Sequence, residues 1–96
     1  MNHPLQHLID KAKDEYQMRV FTKSDNPNYV KFIRGGESME AEHMPSVTST
    51  KMVRWRHSDM PENEYSMSTQ HEFSGKLMKM YMNSTDRMLN YYRGIK

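Results

Sequence analysis

The sequence predicts an α+β domain, a four-stranded antiparallel sheet flanked by an N-terminal helix and a long C-terminal helix, in the order α-β-β-β-β-α. Three observations predict it. Apolar residues recur at helical spacing at both ends of the chain. In the middle they alternate with polar residues, and strong turn signals separate the alternating runs. The 96 residues suit a single domain, 1–96, with no repeat or linker that would divide it.

The first helix is expected over residues 4–17. Leu5, Leu8, Ile9, Ala12 and Tyr16 fall on one stripe, while Asp10, Lys11, Lys13 and Asp14 lie off it. Pro4 suits a first turn, where its missing N–H is no loss, and Asn2 or His3 would supply the cap.

Met18–Lys23 and Tyr29–Arg34 read as strands, joined through the turn-forming Ser24-Asp25-Asn26-Pro27-Asn28. Gly35-Gly36 then offers a two-residue hairpin turn, because glycine accepts positive φ at both positions. That turn fixes a register. Arg34 falls opposite Glu37, Phe32 opposite Met39, Lys31 opposite Glu40 and Val30 opposite Ala41, so opposite charges and like apolar groups meet. Glu37–His43 is therefore the third strand. Residues 44–49 form a loop, and Thr50–Arg56 alternates as the fourth strand. One sheet face would carry Val20, Val30, Phe32, Met39, Ala41, Val53 and Trp55, with both helices on it.

The C-terminal helix is expected to begin near Met60, where Asp59 and Glu62 resemble a capping box and Pro61 suits the first turn. Ser74-Gly75 is its weak point, the place for a kink or break. From Lys76 onward the polar residues occupy a stripe about 120° wide, and apolar residues fill an arc of roughly 200°, interrupted only by Ser84 and Thr85. A surface helix ordinarily buries a stripe of a little over ~100°. Phe73, Leu77, Met80, Tyr81, Met88 and Tyr91 can face the sheet. Met78, Met82, Leu89 and Tyr92 line the far side in steps of four, seven and three, a helix–helix pattern. These four are the expected oligomer or partner interface. The alternative cover is the first helix of the same monomer.

Composition narrows the function. The chain is 35% hydrophobic with a mean hydropathy of −1.01, so its core is small. Cysteine is absent, which excludes a disulfide framework, a zinc–thiolate site and a thiol nucleophile. Without a staple, self-association is a natural way to bury more area, and a homodimer is its commonest form. The N-terminus has no basic region followed by an apolar run, and no stretch has the ~18 apolar residues of a membrane span, so a cytoplasmic protein is expected.

Three other chemistries have candidate residues. Arg19, Lys23, Lys31, Arg54 and Arg56, with Phe21 and Tyr29, share the outer sheet face and suit nucleic-acid or nucleotide binding, though Glu40 and Glu42 neutralise its middle. The motif Met78-x-Met80-x-Met82, His57 with Met60, and Met67 with His71 offer soft metal ligands, but Met78 and Met80 point about 160° apart on a helix and cannot converge on one ion. His3, His7, His43, His57 and His71 belong to no catalytic motif, and Gly35-Gly36 lacks the residues of a phosphate loop. The sequence thus predicts no enzyme, metal or cofactor. It predicts a small binding protein that self-associates through the C-terminal helix and engages a macromolecular partner as an adaptor, inhibitor or regulator. Phage-type accessory proteins commonly have this make-up. Nucleic-acid binding through the outer sheet face is the alternative function.

Overall fold

The computed structural model of the protein describes residues 3–44, 52–61 and 63–94. Its elements are α1 (Gln6–Asp14), β1 (Arg19–Lys23), β2 (Asn26–Arg34), β3 (Glu37–His43), β4 (Met52–His57), β5 (Ser66–Thr69) and α2 (Gln70–Gly94). The fold is α+β with an antiparallel sheet and a helix at each end, as the sequence predicts. The sheet, however, has five strands rather than four, ordered β1-β2-β3-β4-β5 as a simple meander.

Each element has a local cause. His3 caps α1 from just ahead of it. Its Nδ1 accepts the Leu5 N–H at 3.0 Å, while Gln6 Oε1 accepts the His3 N–H at 3.2 Å. With Nδ1 accepting, the ring proton sits on Nε2 and is donated to the Tyr29 carbonyl at 2.8 Å, tying α1 to β2. Gly35 and Gly36 take φ of +60° and +83°, the pair of positive values that a two-residue hairpin needs. The β2–β3 register follows from that turn and runs from Arg34↔Glu37 to Tyr29↔Glu42, matching the four pairs read from the sequence.

The beginning of the long helix needs correction. The chain does not become helical near Met60. Residues 58–61 and 63–65 are not helical, Asn63 has φ +71°, and the chain returns as β5 antiparallel to β4. Asp59 donates its backbone N–H to His57 Nδ1, and Glu62 lies outside the described residues. The working capping box is ten residues on. Thr69 Oγ1 accepts the Glu72 N–H at 3.1 Å, and Glu72 Oε1 accepts the Thr69 N–H at 3.1 Å. Helix α2 then runs unbroken through Ser74-Gly75. The first two residues of the strand expected over Thr50–Arg56, and most of the expected loop before it, lie outside the described residues.

The core lies between one sheet face and the two helices. Val30, Phe32, Met39, Ala41 and Val53 from the sheet meet Leu5, Leu8, Ile9, Ala12, Phe73, Leu77 and Met80, all buried. Phe73 anchors α2, with its ring 6.0 Å from those of Phe32 and Trp55. Val20 and Trp55 are half-buried on the same face. Tyr16, just past α1, stacks on Tyr81 of α2 at 5.3 Å, which places α1 on the Tyr81 side of the long helix.

Ser84 is fully buried although it is polar. A Cβ on Gly35 would come within 2.9 Å of the Ser84 Cβ, so the hairpin turn and the helix touch where both side chains are smallest. Beyond that contact α2 overhangs the sheet. Tyr91, expected to face the sheet, is 67% exposed. The overhang makes the molecule long, 52 × 29 × 24 Å. Its radius of gyration, 14.2 Å, exceeds the ~12.5 Å of a compact chain of this length.

Candidate functional site

The exposed side of α2 is built by its own periodicity. With Phe73, Leu77, Met80 and Ser84 turned to the core, residues near the opposite side must face out. Met78, Met82, Leu89 and Tyr92 are 47%, 56%, 49% and 69% exposed. The first helix does not cover them. Position 85 completes a run 78, 82, 85, 89, 92 in alternating steps of four and three, the spacing of a coiled-coil seam. Thr85 is partly covered, because Arg34 Nη2 donates to its hydroxyl at 2.7 Å while the guanidinium lies over the Tyr81 ring.

The five cations proposed for nucleic acid do share the outer sheet face, but most are engaged. Arg54 pairs with Glu42 at 3.1 Å and lies 4.5 Å over Tyr65. Lys23 lies 4.2 Å over Tyr29, and Arg19 packs 5.7 Å over Phe21. Arg56 Nη2 donates to the Met60 carbonyl at 3.1 Å. Lys31 sits in register with Glu40, which also accepts the Tyr29 hydroxyl proton at 3.0 Å. Burial first, and then the Glu40 carboxylate, push the Tyr29 phenol up to about 12. A small cleft of about 180 Å³ lies among Lys23, Tyr29, Glu40, Glu42, Arg54 and Tyr65, with carboxylates as well as cations in its wall. A base could stack on this face only after displacing a cation from an aromatic ring.

A second constellation was missed by sequence reasoning. Glu37, buried at the start of β3, accepts from Arg87 Nη2 at 2.9 Å and from His57 Nε2 at 3.0 Å. Arg34, its partner across the hairpin, turns instead toward Thr85. A cleft of about 270 Å³ beside this cluster is lined by Trp55, His57, Asp59, Lys76, Lys79 and Asn83, among others. Ligand atoms of Glu37, His57 and Asp59 lie within 4.8 Å of one another, a spacing a metal could use. Hydrogen bonding opposes that use. His57 Nδ1 accepts the Asp59 N–H at 2.9 Å, Nε2 faces Glu37, and both Glu37 oxygens are taken. A metal would have to displace Arg87 or rotate the imidazole. The same saturation leaves the His57 ring without a free nitrogen for proton transfer. The only local hint was that Glu37 and His57 both follow the inward parity of their strands; the 50-residue step from Glu37 to Arg87 has no sequence signature.

Among the described residues, no helix is long and apolar enough to cross a membrane. No protein-family model, curated protein or solved structure matches this chain.

Proposed function

We propose that this is a small non-enzymatic binding protein that self-associates through the exposed face of α2 and, as a pair, engages a macromolecular partner in a regulatory or adaptor role. The observation that supports this reading is the far side of α2, where Met78, Met82 and Leu89 are about half exposed and Tyr92 more so, in heptad spacing and with no charge among them. Thr85, with the Arg34 guanidinium on its hydroxyl, interrupts the run, and the exposed apolar residues on either side of it are of the kind that marks interaction surfaces. Methionine and tyrosine are enriched at interface cores.

Two features favour a second copy as the cover. Asp86 and Arg93 flank the seam one heptad apart and carry opposite charges. Two α2 helices crossing antiparallel near Leu89 bring each Asp86 toward the other copy's Arg93, so the flanks attract. The surface area supports the same conclusion. The accessible surface of 6575 Å² exceeds the ~5,800 Å² usual for a folded monomer of 11.5 kDa.

Sedimentation of the purified protein across a range of concentrations tests the proposal. A mass near twice 11.5 kDa at high concentration, falling on dilution, is the expected result. The Met82→Lys/Leu89→Lys double variant should sediment as a monomer with an unchanged circular dichroism spectrum. A wild-type protein that is monomeric at every concentration overturns the reading. Self-association through apolar contacts should also survive high salt, whereas phosphate contacts would not.

A further inference from the structure

The sheet has an open edge with a cleft beside it. Among the described residues strand β1 pairs only with β2, and four of its five residues are exposed. An edge strand leaves every second N–H and C=O without a ladder partner. Next to this edge, α1 stands off and leaves a cleft of about 630 Å³, whose walls include Pro4, Ile9 and Lys13 on one side and Val20, Thr22 and Lys23 on the other. A helix beside a free strand edge is the arrangement in which an extended peptide adds to a sheet. The backbone ladder supplies affinity, and the cleft sorts alternate side chains.

We propose that β1 takes up an extended acidic peptide as a sixth strand. The chemistry of the occupant follows from the two faces of β1. Side chains of an added strand that lie beside Val20 and Thr22 enter the cleft against Ile9 and Pro4, and these are apolar. Side chains on the opposite face lie beside Arg19 and Lys23, and these are carboxylates. Among the described residues neither cation forms an ion pair. Each rests on a ring, Arg19 on Phe21 and Lys23 on Tyr29, with donors left for an acceptor. Lys13 adds a third cation on the helix wall.

The same charges disfavour the simplest competitor, a second copy of β1. Antiparallel pairing of two β1 strands about Phe21 sets Arg19 opposite Lys23 at both ends, and like charges directly opposite are destabilising. An acidic strand turns both repulsions into attractions. This surface is separate from the exposed face of α2, so the inference does not depend on self-association. A peptide should bind the dimer and the Met82→Lys/Leu89→Lys monomer alike.

The experiment is a titration of the full-length, nitrogen-15-labelled protein with a capped heptapeptide alternating glutamate and valine. The expected result is saturable amide shifts across Arg19–Lys23 and in α1 around Ile9 and Lys13. The same peptide with N-methylated valines, which cannot complete the ladder, should bind about tenfold more weakly or worse. A lysine–valine peptide should not bind. In Arg19→Glu/Lys23→Glu the preference should invert, with the lysine peptide binding and the glutamate peptide lost. If that variant does not fold, the peptide series on the wild type decides. Three results overturn the proposal: no shifts in β1, equal binding of the N-methylated peptide, or a short single-stranded DNA that displaces the peptide and shifts the same amides at lower concentration. The last would assign the cations to phosphate.

Discussion

Arg87 of α2 holds Glu37 of β3 through a 2.9 Å charge-assisted hydrogen bond, and its second arm donates to the Gly35 carbonyl at 2.7 Å. One side chain thus clamps the helix to both sides of the β2–β3 turn. Glu37 is buried while Arg87 is half exposed, so the two ends of the bond differ in what their loss costs.

Truncating Arg87 leaves a buried carboxylate with His57 as its remaining partner. Arg87→Met should therefore destabilise the fold by about 1–3 kcal/mol. Glu37→Gln keeps the shape and removes the charge, and should cost less. Urea unfolding of both single variants and the double variant gives the coupling energy, expected to be positive and at least about 0.5 kcal/mol. An uncoupled pair would mean that the clamp contributes nothing.

Gly35→Ala and Gly36→Ala separate backbone strain from packing. Both residues have positive φ, which costs an L-residue about 1 kcal/mol. Only Gly35 also meets a neighbour, the Ser84 Cβ at 2.9 Å; the nearest atom to a Cβ on Gly36 is Arg87 Nη1 at 4.0 Å. Gly35→Ala should lower the melting temperature distinctly more than Gly36→Ala, by several degrees. Equal losses would place the whole effect in the backbone.

Phe73 and Met78 are five residues apart on α2 and should behave oppositely. Phe73→Ala opens the core where three aromatic rings meet and should cost about 3–5 kcal/mol. Met78→Ala should change monomer stability by no more than about 0.5 kcal/mol. Its effect should appear only in the concentration dependence of sedimentation.

Two groups give the stability a pH signature. Glu72 is held below its ordinary 4.5 by the Thr69 backbone and hydroxyl bonds. A carboxylate with a depressed folded pKa stabilises above its unfolded value, and that contribution disappears as pH falls through the folded value. The loss should therefore set in below about pH 4.5. It should be smaller in Thr69→Val, which keeps the backbone N–H bond to Glu72 but loses the hydroxyl and, with it, the cap on the Glu72 N–H at a cost of ~1 kcal/mol at neutral pH.

Tyr29 works in the opposite sense. Its phenol is raised from 10.0 to about 12 by burial and by Glu40, so the fold favours the neutral form. That contribution is complete below pH 10.0 and is lost as pH rises toward about 12. In a spectroscopic titration the Tyr29 phenol should ionise well above 10.0, and Glu40→Gln should bring it earlier. A Tyr29 titration that Glu40→Gln leaves unmoved would contradict the geometry at Glu40.

The hairpin register was legible because two adjacent glycines admit one turn geometry and the turn dictates every pair after it. Strand β5 was not legible. Ser66 and Ser68 take the inward positions, and the run Ser66–Thr69 holds one apolar residue, Met67, which faces out. Its stability comes from pairing with β4 and from the Trp55 indole donating to Ser68 Oγ at 3.0 Å, contacts that only the returning chain creates. The start of α2 was ambiguous for a related reason. Asp59 with Glu62 and Thr69 with Glu72 have the same spacing, and local chemistry cannot rank them. The fourth strand's need for a neighbour decides against the first.

The sequence by itself determined the class of fold, the pairing of β2 with β3, the inward residues of the first four strands, and the surplus of apolar surface on the last helix. These follow from periodicity and turn chemistry, which act between near neighbours. Only the tertiary structure decided the fifth strand, the clamp between residues 50 positions apart, and which part of the α2 surplus stays uncovered. The reason is steric. Tyr16 stacks on Tyr81 and fixes α1 to one flank of α2, while Gly35 and Ser84 set how closely the hairpin approaches. Met82 and Leu89 lie beyond the reach of both, and no local pattern along the chain specifies that distance.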